Sequence, residues 1–357
     1  MATRIAEFRP GKDDDEVLAL RAEVWGKDHA HTSKAFYAWL FSGAASGILV
    51  RRDEKLVCFA GLVPRLASHD GVDVKVAHGL DFMASPSLQG LSGLYAFKLV
   101  KAWLDHAART GYDFAACFPN DQSIRLLISD KLNWKIVASP RLFVLPLPSI
   151  RFGESPVRHL PKSLATFGGR VLATTLSMTR SRPSPDGSVT ALDLDADDGA
   201  LDALWQRANR SKLQFSREAK AMQWRYGLNP VYGYRILARR NKGQISGFMV
   251  TTRRNVMGLE SDLIVDGLWD EGDLETPQML LSAVEARARV EGTGIVAGLA
   301  MADTPLQRAF NRFGFLLVPA RFDPKPFHLV GYPLTDAGEK CMNSAAWNLT
   351  WGDMDVV

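Results

Sequence analysis

The sequence has few cysteines, no long hydrophobic run and little net charge of either sign. Its three cysteines lie in apolar or helical surroundings without the spacing of metal ligands: Cys58, Cys117 and Cys341. An odd number without such spacing favours a reducing compartment, and we predict no metal site. No stretch of about eighteen apolar residues is present, and the first residues have no apolar signal core. We therefore expect no membrane span and a cytoplasmic protein.

The charge balance is too even to indicate a nucleic-acid-binding protein. Lys and Arg total 43 and Asp and Glu total 39, which gives a formal net charge of +4. The positive residues are spread along the chain rather than collected in a basic, aromatic-rich run. A small positive charge suits an anionic small molecule. The hydrophobic content of 46% and the length of 357 residues indicate a globular protein with two domains of ordinary size.

Two parts of the chain repeat the same pattern. Residues 48–59 and 236–248 each read as strand, polar turn and strand, which is typical of a β-hairpin. Each hairpin precedes another strand, a long helix, an apolar strand and a last helix. We predict a first domain over residues 1–147, a proline-rich connector over 148–188 and a second domain over 189–357. A short amphipathic helix is expected over residues 163–180 of the connector.

The most informative motif follows an apolar strand that ends near Leu80. A short turn leads into a glycine-containing loop, which opens directly into a helix. A helix N-terminus of this kind leaves backbone N–H groups unpaired, and such groups bind a pyrophosphate. The alternative is an ordinary turn before a helix. The predicted phosphate-binding residues form one continuous run: Gln89, Gly90, Leu91, Ser92, Gly93 and Leu94.

This arrangement resembles the GNAT acyltransferase superfamily, present twice in the chain. The family has an Arg/Gln-x-x-Gly-x-Gly/Ala loop, often with Gly in second position, after its fourth strand. Gln89 and Gly90 match it, whereas Ser92 and Leu94 depart from it. The resemblance implies an α+β (α/β three-layer) fold with two tandem GNAT-like domains, each a mixed, mostly antiparallel sheet flanked by helices. It also implies that acetyl-CoA or another acyl-CoA is the cofactor.

The resemblance implies further contacts with CoA. The backbone of the strand end would pair with the pantetheine arm, at Phe82, Met83 and Ala84. Asn120 and Ser123 would bind the far end of the arm, or would simply cap a helix. The tyrosine that often protonates the departing thiolate in this family is replaced by Leu127.

Asp81 and His78 are the candidates for the general base that transfer to an amine requires. Regular strand alternation puts the two on opposite faces. Gly79 lies between them and suits a β-bulge, which would bring both to one cleft. The alternative is that Asp81 is a polar strand end and His78 a core histidine.

The whole chain also resembles a narrower group, the tandem-GNAT bacterial N-acyltransferases of amino-sugar and polysaccharide biosynthesis. The similar parts are Trp224-Arg225-Tyr226 with Asn229-Pro230, and the C-terminal residues 351–355. This resemblance implies a small-molecule amine acceptor held between the two domains. Arg225 and Tyr226 are candidate acceptor contacts, and so is Asp266, by its equivalence to Asp81.

The second unit lacks the phosphate-binding loop. Four carboxylates follow its strand, at Asp270, Glu271, Asp273 and Glu275, and they would repel a pyrophosphate. We therefore expect one CoA site, in the first unit, and an acceptor platform in the second. The leading hypothesis is an N-acyltransferase that moves an acyl group from CoA to a primary amine, such as a nucleotide-linked amino sugar. The alternatives are an aminoacyl-tRNA-dependent peptidyl transferase of cell-wall type and a non-catalytic acyl-CoA-binding module. The sequence does not determine the oligomeric state.

Overall fold

The protein forms two mixed β-sheets with helices packed on both faces of each. The computed structural model describes residues 2–151, 162–178, 183, 187–208, 211–256, 258–320 and 327–354. In each sheet one neighbouring pair of strands is parallel and the other pairs are antiparallel. The fold is therefore the predicted one of mixed, mostly antiparallel sheets flanked by helices.

The first sheet has eight strands in the described residues. In spatial order they are β1 (Thr3–Glu7), β2 (Ser46–Arg52), β3 (Lys55–His69), β4 (Val72–Ala84), β5 (Phe114–Cys117), β15 (Leu329–Pro333) and β6 (Lys135–Ala138), with β9 (Gln214–Phe215) beside β3.

The second sheet has seven strands in the same described residues. In spatial order they are β14 (Leu316–Leu317), β7 (Arg141–Pro146), β13 (Ile295–Ala300), β12 (Leu259–Trp269), β11 (Gln244–Val256), β10 (Arg235–Asn241) and β8 (Val189–Ala191).

The α-helices in the described residues are α1 (Asp14–Trp25), α2 (Lys34–Leu40), α3 (Ser92–Arg109), α4 (Asp121–Leu127), α5 (Lys162–Met178), α6 (Asp198–Arg207), α7 (Ala219–Met222), α8 (Thr276–Val290), α9 (Pro305–Phe313) and α10 (Asp336–Glu339). A π-helical turn, Gln223–Gly227, continues α7. Short 3-10 turns include Ala30–Thr32, Pro86–Leu88 and Trp351–Asp353.

Both predicted hairpins form, and they share the same turn geometry. Asp53 and Glu54 join β2 to β3 with φ angles of 48° and 64°. Lys242 and Gly243 join β10 to β11 with φ angles of 50° and 82°. Two consecutive positive φ angles define a type I′ turn, whose twist matches that of the flanking strands. The repeat seen in the sequence is thus a repeat of backbone geometry.

The two halves exchange strands. β7 lies in the predicted first domain, yet it pairs along its full length with β13 of the second sheet. β15 comes from the predicted second domain, yet it lies between β5 and β6 in the first sheet. The predicted boundaries at residues 147 and 189 therefore do not separate the strands of the two sheets. The sequence of an apolar strand does not show which sheet the strand joins.

A buried charge network joins the two sheets to the C-terminal segment. Arg217 follows β9, and its Nε lies 3.0 Å from Oδ1 of Asp266 on β12. Its Nη2 lies 3.0 Å from Oδ2 of Asp353. Arg65 on β3 donates a hydrogen bond of 2.7 Å from Nη1 to the Asp353 carbonyl oxygen. Since the Arg217, Asp266 and Asp353 side chains are all buried, each charge depends on its partners.

A pair of tryptophans forms a second junction between the halves. The Trp39 ring on α2 stacks on the Trp224 ring of the π-helical turn, with centroids 5.0 Å apart and planes 14° from parallel. Each indole Nε1 donates to the backbone carbonyl oxygen of the other residue, at 2.7 Å from Trp39 and 3.3 Å from Trp224. This junction fixes α2 against the second half of the chain.

The predicted connector helix is present as α5, which begins one residue earlier than expected. Other connector residues, 152–161, 179–182 and 184–186, and the end of the predicted helix lie outside the described residues. None of the helices in the described part of the chain is long and apolar enough to cross a bilayer.

We expect Arg217→Met to lower the free energy of unfolding by about 3–5 kcal/mol, because two buried carboxylates lose their cation. The matched control is Arg308→Met, which removes an exposed pair with Glu271 (2.6 Å) and should cost less than about 1 kcal/mol. Urea denaturation of both variants measures the difference. Equal losses would show that the network does not hold the sheets together.

Candidate active site

The N-terminus of α3 is open to solvent and has no side-chain cap. Leu91 precedes the helix and makes no capping hydrogen bond. The first backbone hydrogen bond of the helix runs from Tyr95 N to Leu91 O, so the N–H groups of Ser92, Gly93 and Leu94 have no acceptor within the helix. Every residue of the predicted run from Gln89 to Leu94 is exposed. These groups are available to an anion.

The loop before α3 leaves room for a ligand. Gly90 has a φ of +71°, and a Cβ placed there would meet no atom within 4 Å. A Cβ on Gly93 would also meet nothing within 4 Å. Leu91 and Leu94 are 41% and 52% exposed, which puts apolar surface beside the free N–H groups. A pyrophosphate joined to an apolar arm fits this combination.

The corresponding helix of the second half, α8, is closed. The Asp273 carboxylate accepts hydrogen bonds from Glu275 N at 3.0 Å and Thr276 N at 2.9 Å. Thr276 N is the first N–H group of α8, and Pro277 at the next position has no N–H to offer a phosphate. The neighbouring acids are already paired, since Glu271 contacts Arg308 and Glu275 contacts Arg239. The start of α8 therefore offers fewer free N–H groups than the start of α3.

β4 extends beyond the end of β5. Their parallel pairing ends at His78 and Ala116, and β5 ends at Cys117. β4 continues for six more residues, in which Met83 and Ala84 still pair with Phe59 and Cys58 of β3. The predicted pantetheine-binding backbone, Phe82 to Ala84, lies in this extension, beyond the part of β4 that pairs with β5. The extension ends at the loop that leads into α3.

The bulge in β4 is at Asp81, not at Gly79 as predicted. Gly79 pairs in register with Leu62, while the register shifts by one residue after Leu80. Asp81 adopts a φ of +52°, in the left-handed region that a bulge tolerates. Gly79 has a different role, because a Cβ there would lie 2.5 Å from the Phe82 ring. Phe82 in turn packs on Trp103 of α3, with ring centroids 5.4 Å apart.

The extra residue turns the Asp81 side chain toward α1. Its Oδ2 lies 3.3 Å from Nε of Arg21, and both side chains are buried, at 7% and 0% exposed. Burial raises the pKa of Asp81 above its ordinary value, although the charge of Arg21 opposes this effect. Burial also lowers the pKa of Arg21. A carboxylate with a raised pKa is a better proton acceptor than one in water.

Aromatic rings surround the Arg21 guanidinium. Its Cζ lies 5.1 Å from the Trp25 ring centroid, 5.4 Å from that of Tyr37 and 5.8 Å from that of Phe36. In the described residues neither Nη1 nor Nη2 of Arg21 has a hydrogen-bond partner. The sequence analysis did not identify Arg21. The available signal was a charged residue within the apolar stripe of α1, beside the buried Val17 and Leu20.

His78 and Asp81 are not brought together. The His78 ring stacks on Phe215, with centroids 6.1 Å apart and planes 13° from parallel, and its Nδ1 lies 3.5 Å from Nη1 of Arg65. Burial lowers the pKa of His78 well below its ordinary value, and the positive charges of Arg65 and Arg225 add to the effect. His78 is therefore a neutral ring between the halves, while Asp81 lies beneath α1.

Asn120 and Ser123 form a helix cap. Asn120 Oδ1 accepts hydrogen bonds from Gln122 N at 3.1 Å and Ser123 N at 2.9 Å, at the start of α4. This is the capping alternative considered from the sequence. Leu127 is 2% exposed and packs in the core under α3. An apolar side chain therefore occupies the position at which the resemblance implies a general acid.

The predicted acceptor residues of the second half lie together but point inward. Tyr226 Oη donates a hydrogen bond of 2.8 Å to Asp266 Oδ2, and Asp266 also holds Arg217. Arg225 donates to the Met354 carbonyl oxygen. Burial raises the pKa of Tyr226 well above its ordinary value. Arg225 and Tyr226 line an internal cavity of about 10 Å³, which is room for one water rather than a sugar.

The described residues contain no group of three or more His, Cys, Asp or Glu side chains that could hold a metal ion. No protein-family model matches the sequence, and no curated protein matches it either.

Solved structures match the fold over nearly the whole chain. One is a probable N-acyltransferase from Enterococcus faecalis V583, with a TM-score of 0.65, 10% identity, and coverage of 94% of this chain and 73% of that one. A second is a GCN5-related N-acetyltransferase from Anabaena variabilis, with a TM-score of 0.62, 10% identity and coverage of 93% and 73%. A third is the Saccharomyces cerevisiae N-myristoyltransferase with bound myristoyl-CoA, with a TM-score of 0.56, 12% identity and coverage of 93% and 79%. The chain therefore has the fold that GCN5-related N-acetyltransferases and N-myristoyltransferases share.

Proposed function

We propose that this protein is an N-acyltransferase that moves an acyl group from acyl-CoA to a primary amine, using one CoA site in its first half. The observation that carries the proposal is the open N-terminus of α3, which follows the end of β4 that extends beyond β5 and bears the buried Asp81 carboxylate. Three solved structures with the same fold are described as acyl- or acetyltransferases. The cytoplasm, where acyl-CoA is available, is the proposed compartment.

Different residues of the first half would bind different parts of acyl-CoA. The N–H groups of Ser92, Gly93 and Leu94 would hold the pyrophosphate. The backbone of Met83 and Ala84 would pair with the pantetheine arm and polarise the thioester carbonyl, which becomes an oxyanion during attack. Bound acyl-CoA supplies the acyl group as a thioester and gives up the thiol.

Asp81 is the proposed general base. It would take a proton from the amine as nitrogen bonds to the acyl carbon, directly or through one water. Its raised pKa favours proton uptake, and the charge of Arg21 opposes part of this rise. Because Leu127 replaces the usual acid, the thiolate would leave without proton donation by a side chain at that position.

The amine is proposed to be an amino sugar, free or nucleotide-linked, on the resemblance to the tandem-GNAT enzymes of polysaccharide biosynthesis. The structure favours an acceptor on the α1 and α2 side of β4, where Asp81 points. A second candidate function is acyl-CoA binding without turnover. The buried Leu127 supports it, because the site then lacks its usual proton donor.

We expect wild-type protein to release thiol from an acyl-CoA when an acceptor from a panel of amino sugars and other amines is present. Asp81→Asn should lower kcat by about 100- to 10,000-fold, the range of general-base catalysis. The control is Asp73→Asn, an exposed carboxylate on the same strand, which should retain activity. CoA binding without thiol release across the whole panel would instead establish the non-catalytic alternative.

Leu91→Asp should weaken CoA binding at least about tenfold, because a carboxylate would cap α3 and repel the pyrophosphate. The control is Leu91→Asn, which offers a neutral cap at the same position. Calorimetric titration with CoA measures both variants. Unchanged binding in Leu91→Asp would place CoA elsewhere on the molecule.

Arg21→Met should move the acidic limb of the kcat profile to higher pH. Burial already raises the pKa of Asp81, and removing the opposing charge raises it further, so the base becomes protonated at a higher pH. Arg21→Lys keeps the charge and should stay close to wild type. Tyr37, hydrogen-bonded to Asp14, and His31 also face this pair and remain in both variants. An unshifted limb would show that Asp81 is not the group that titrates.

A further inference from the structure

A cavity that the proposed chemistry does not use has four arginines among its nine lining residues. It has a volume of about 340 Å³ and lies where β10 begins, beside β11, β12 and the end of α8. Its charged lining consists of Arg235, Arg253, Arg254, Arg287 and Asp262. Guanidinium groups offer forked N–H donors that match phosphate and carboxylate oxygens.

The internal carboxylates do not balance these arginines fully. Glu291 contacts Arg235 at 2.5 Å and Arg253 at 3.1 Å, so one carboxylate serves two cations. Glu260 also contacts Arg253, at 3.4 Å. Asp262 Oδ1 lies 4.0 Å from Arg287 Nη2, at the limit of an ion pair. Four arginines thus meet three carboxylates, which leaves an excess of positive charge at the cavity.

Arg287 is held in position by a hydrogen bond and still has an N–H donor without a partner in the described residues. Its Nη2 donates a hydrogen bond of 2.9 Å to Thr251 Oγ1, which fixes the guanidinium plane. Its Nε is buried and has no hydrogen-bond partner in the described residues. The pKa of Arg287 is lowered by burial, and the nearby positive charges of Arg235 and Arg253 add to this. A bound anion would accept a hydrogen bond from the unpaired Nε and would stabilise the buried positive charge.

A short series of contacts connects the cavity to the candidate base. Arg254 lies over the Tyr232 ring, 4.3 Å from its centroid. Tyr232 Oη lies 3.5 Å from His31 Nε2, and the His31 ring stacks on Phe36 at 4.6 Å. Phe36 in turn covers the guanidinium of Arg21, the partner of Asp81. Four side chains thus link the cavity to Asp81, on the side of the molecule where the acceptor amine is expected.

We propose that this arginine cavity binds the phosphate group of a small molecule, and that the phosphate belongs to the amine acceptor. The assignment to the acceptor rests on the proposed function, whereas phosphate binding by the cavity does not. The ligand is then a phosphorylated amino sugar or a nucleotide-linked one, with its anionic end on the second half and its amine directed to the first.

Calorimetry of the full chain, with saturating CoA present to fill the α3 site, tests the binding. The probes are glucosamine 6-phosphate, glucosamine and inorganic pyrophosphate. We expect saturable binding of the two phosphates, at least tenfold tighter for glucosamine 6-phosphate than for glucosamine. Arg253→Gln/Arg254→Gln should abolish this preference. The control, Arg141→Gln/Arg312→Gln, removes the same charge from two exposed arginines elsewhere and should preserve it.

The outcomes separate the two parts of the proposal. No saturable binding of either phosphate, or equal loss in both double variants, overturns the cavity as a phosphate site, while CoA binding and thiol release remain independent measures of the proposed function. If the cavity does serve the acceptor, KM for glucosamine 6-phosphate rises at least tenfold in Arg253→Gln/Arg254→Gln with little change in kcat. Phosphate binding with an unchanged KM overturns the assignment to the acceptor.

Discussion

One extra residue in β4 determines what the first half of this protein presents to a ligand. The bulge at Asp81 moves that carboxylate onto the side of the strand that faces α1, where it meets a buried arginine. A regular strand would direct it toward Trp103 and α3, the place that Phe82 takes instead. The same irregularity lies three residues after the last pair between β4 and β5, so the end of β4 beyond this pairing, which is proposed to bind CoA, also carries the proposed base. The backbone bulge, rather than any single side chain, thus produces this arrangement.

The second half repeats this arrangement of strand and bulge, but other residues of the chain pack against the bulge. β12 carries its own bulge near Val265, and its parallel pairing with β13 also ends there. The 3-10 turn Trp351–Asp353 packs against that bulge; a Cβ on Gly352 would lie 2.1 Å from Tyr226 Oη and 2.9 Å from the Val265 carbonyl oxygen. Together with the Asp273 cap, this occupancy supports the proposal of a single cofactor site, in the first half. The open space of the second half is instead the arginine cavity, at the other end of its strands.

The sequence predicted well the structural features that depend on residues close together in the chain. Alternation and turn residues predicted both hairpins, and the loop before α3 was recognisable because strand, glycine and helix follow one another within a few positions. What the sequence did not reveal depends on distant pairing. Arg21 meets Asp81 across sixty positions of chain, and Arg217 meets Asp353 across more than twice that distance. The bulge was expected but placed at Gly79, because glycine is the usual mark of a bulge, whereas packing of Phe82 explains that glycine.

The exchange of β7 and β15 has a consequence for how the chain can fold. A fragment that ends within the connector would lack the strand that joins β5 to β6, and its own β7 would have no sheet to enter. Neither segment is therefore a self-sufficient folding unit. Pairing of β15 with β5 must wait until more than 200 further residues have been synthesised after β5, so the first sheet is completed late. A topology of such long-range contacts favours slow, concerted assembly over independent folding of the two halves.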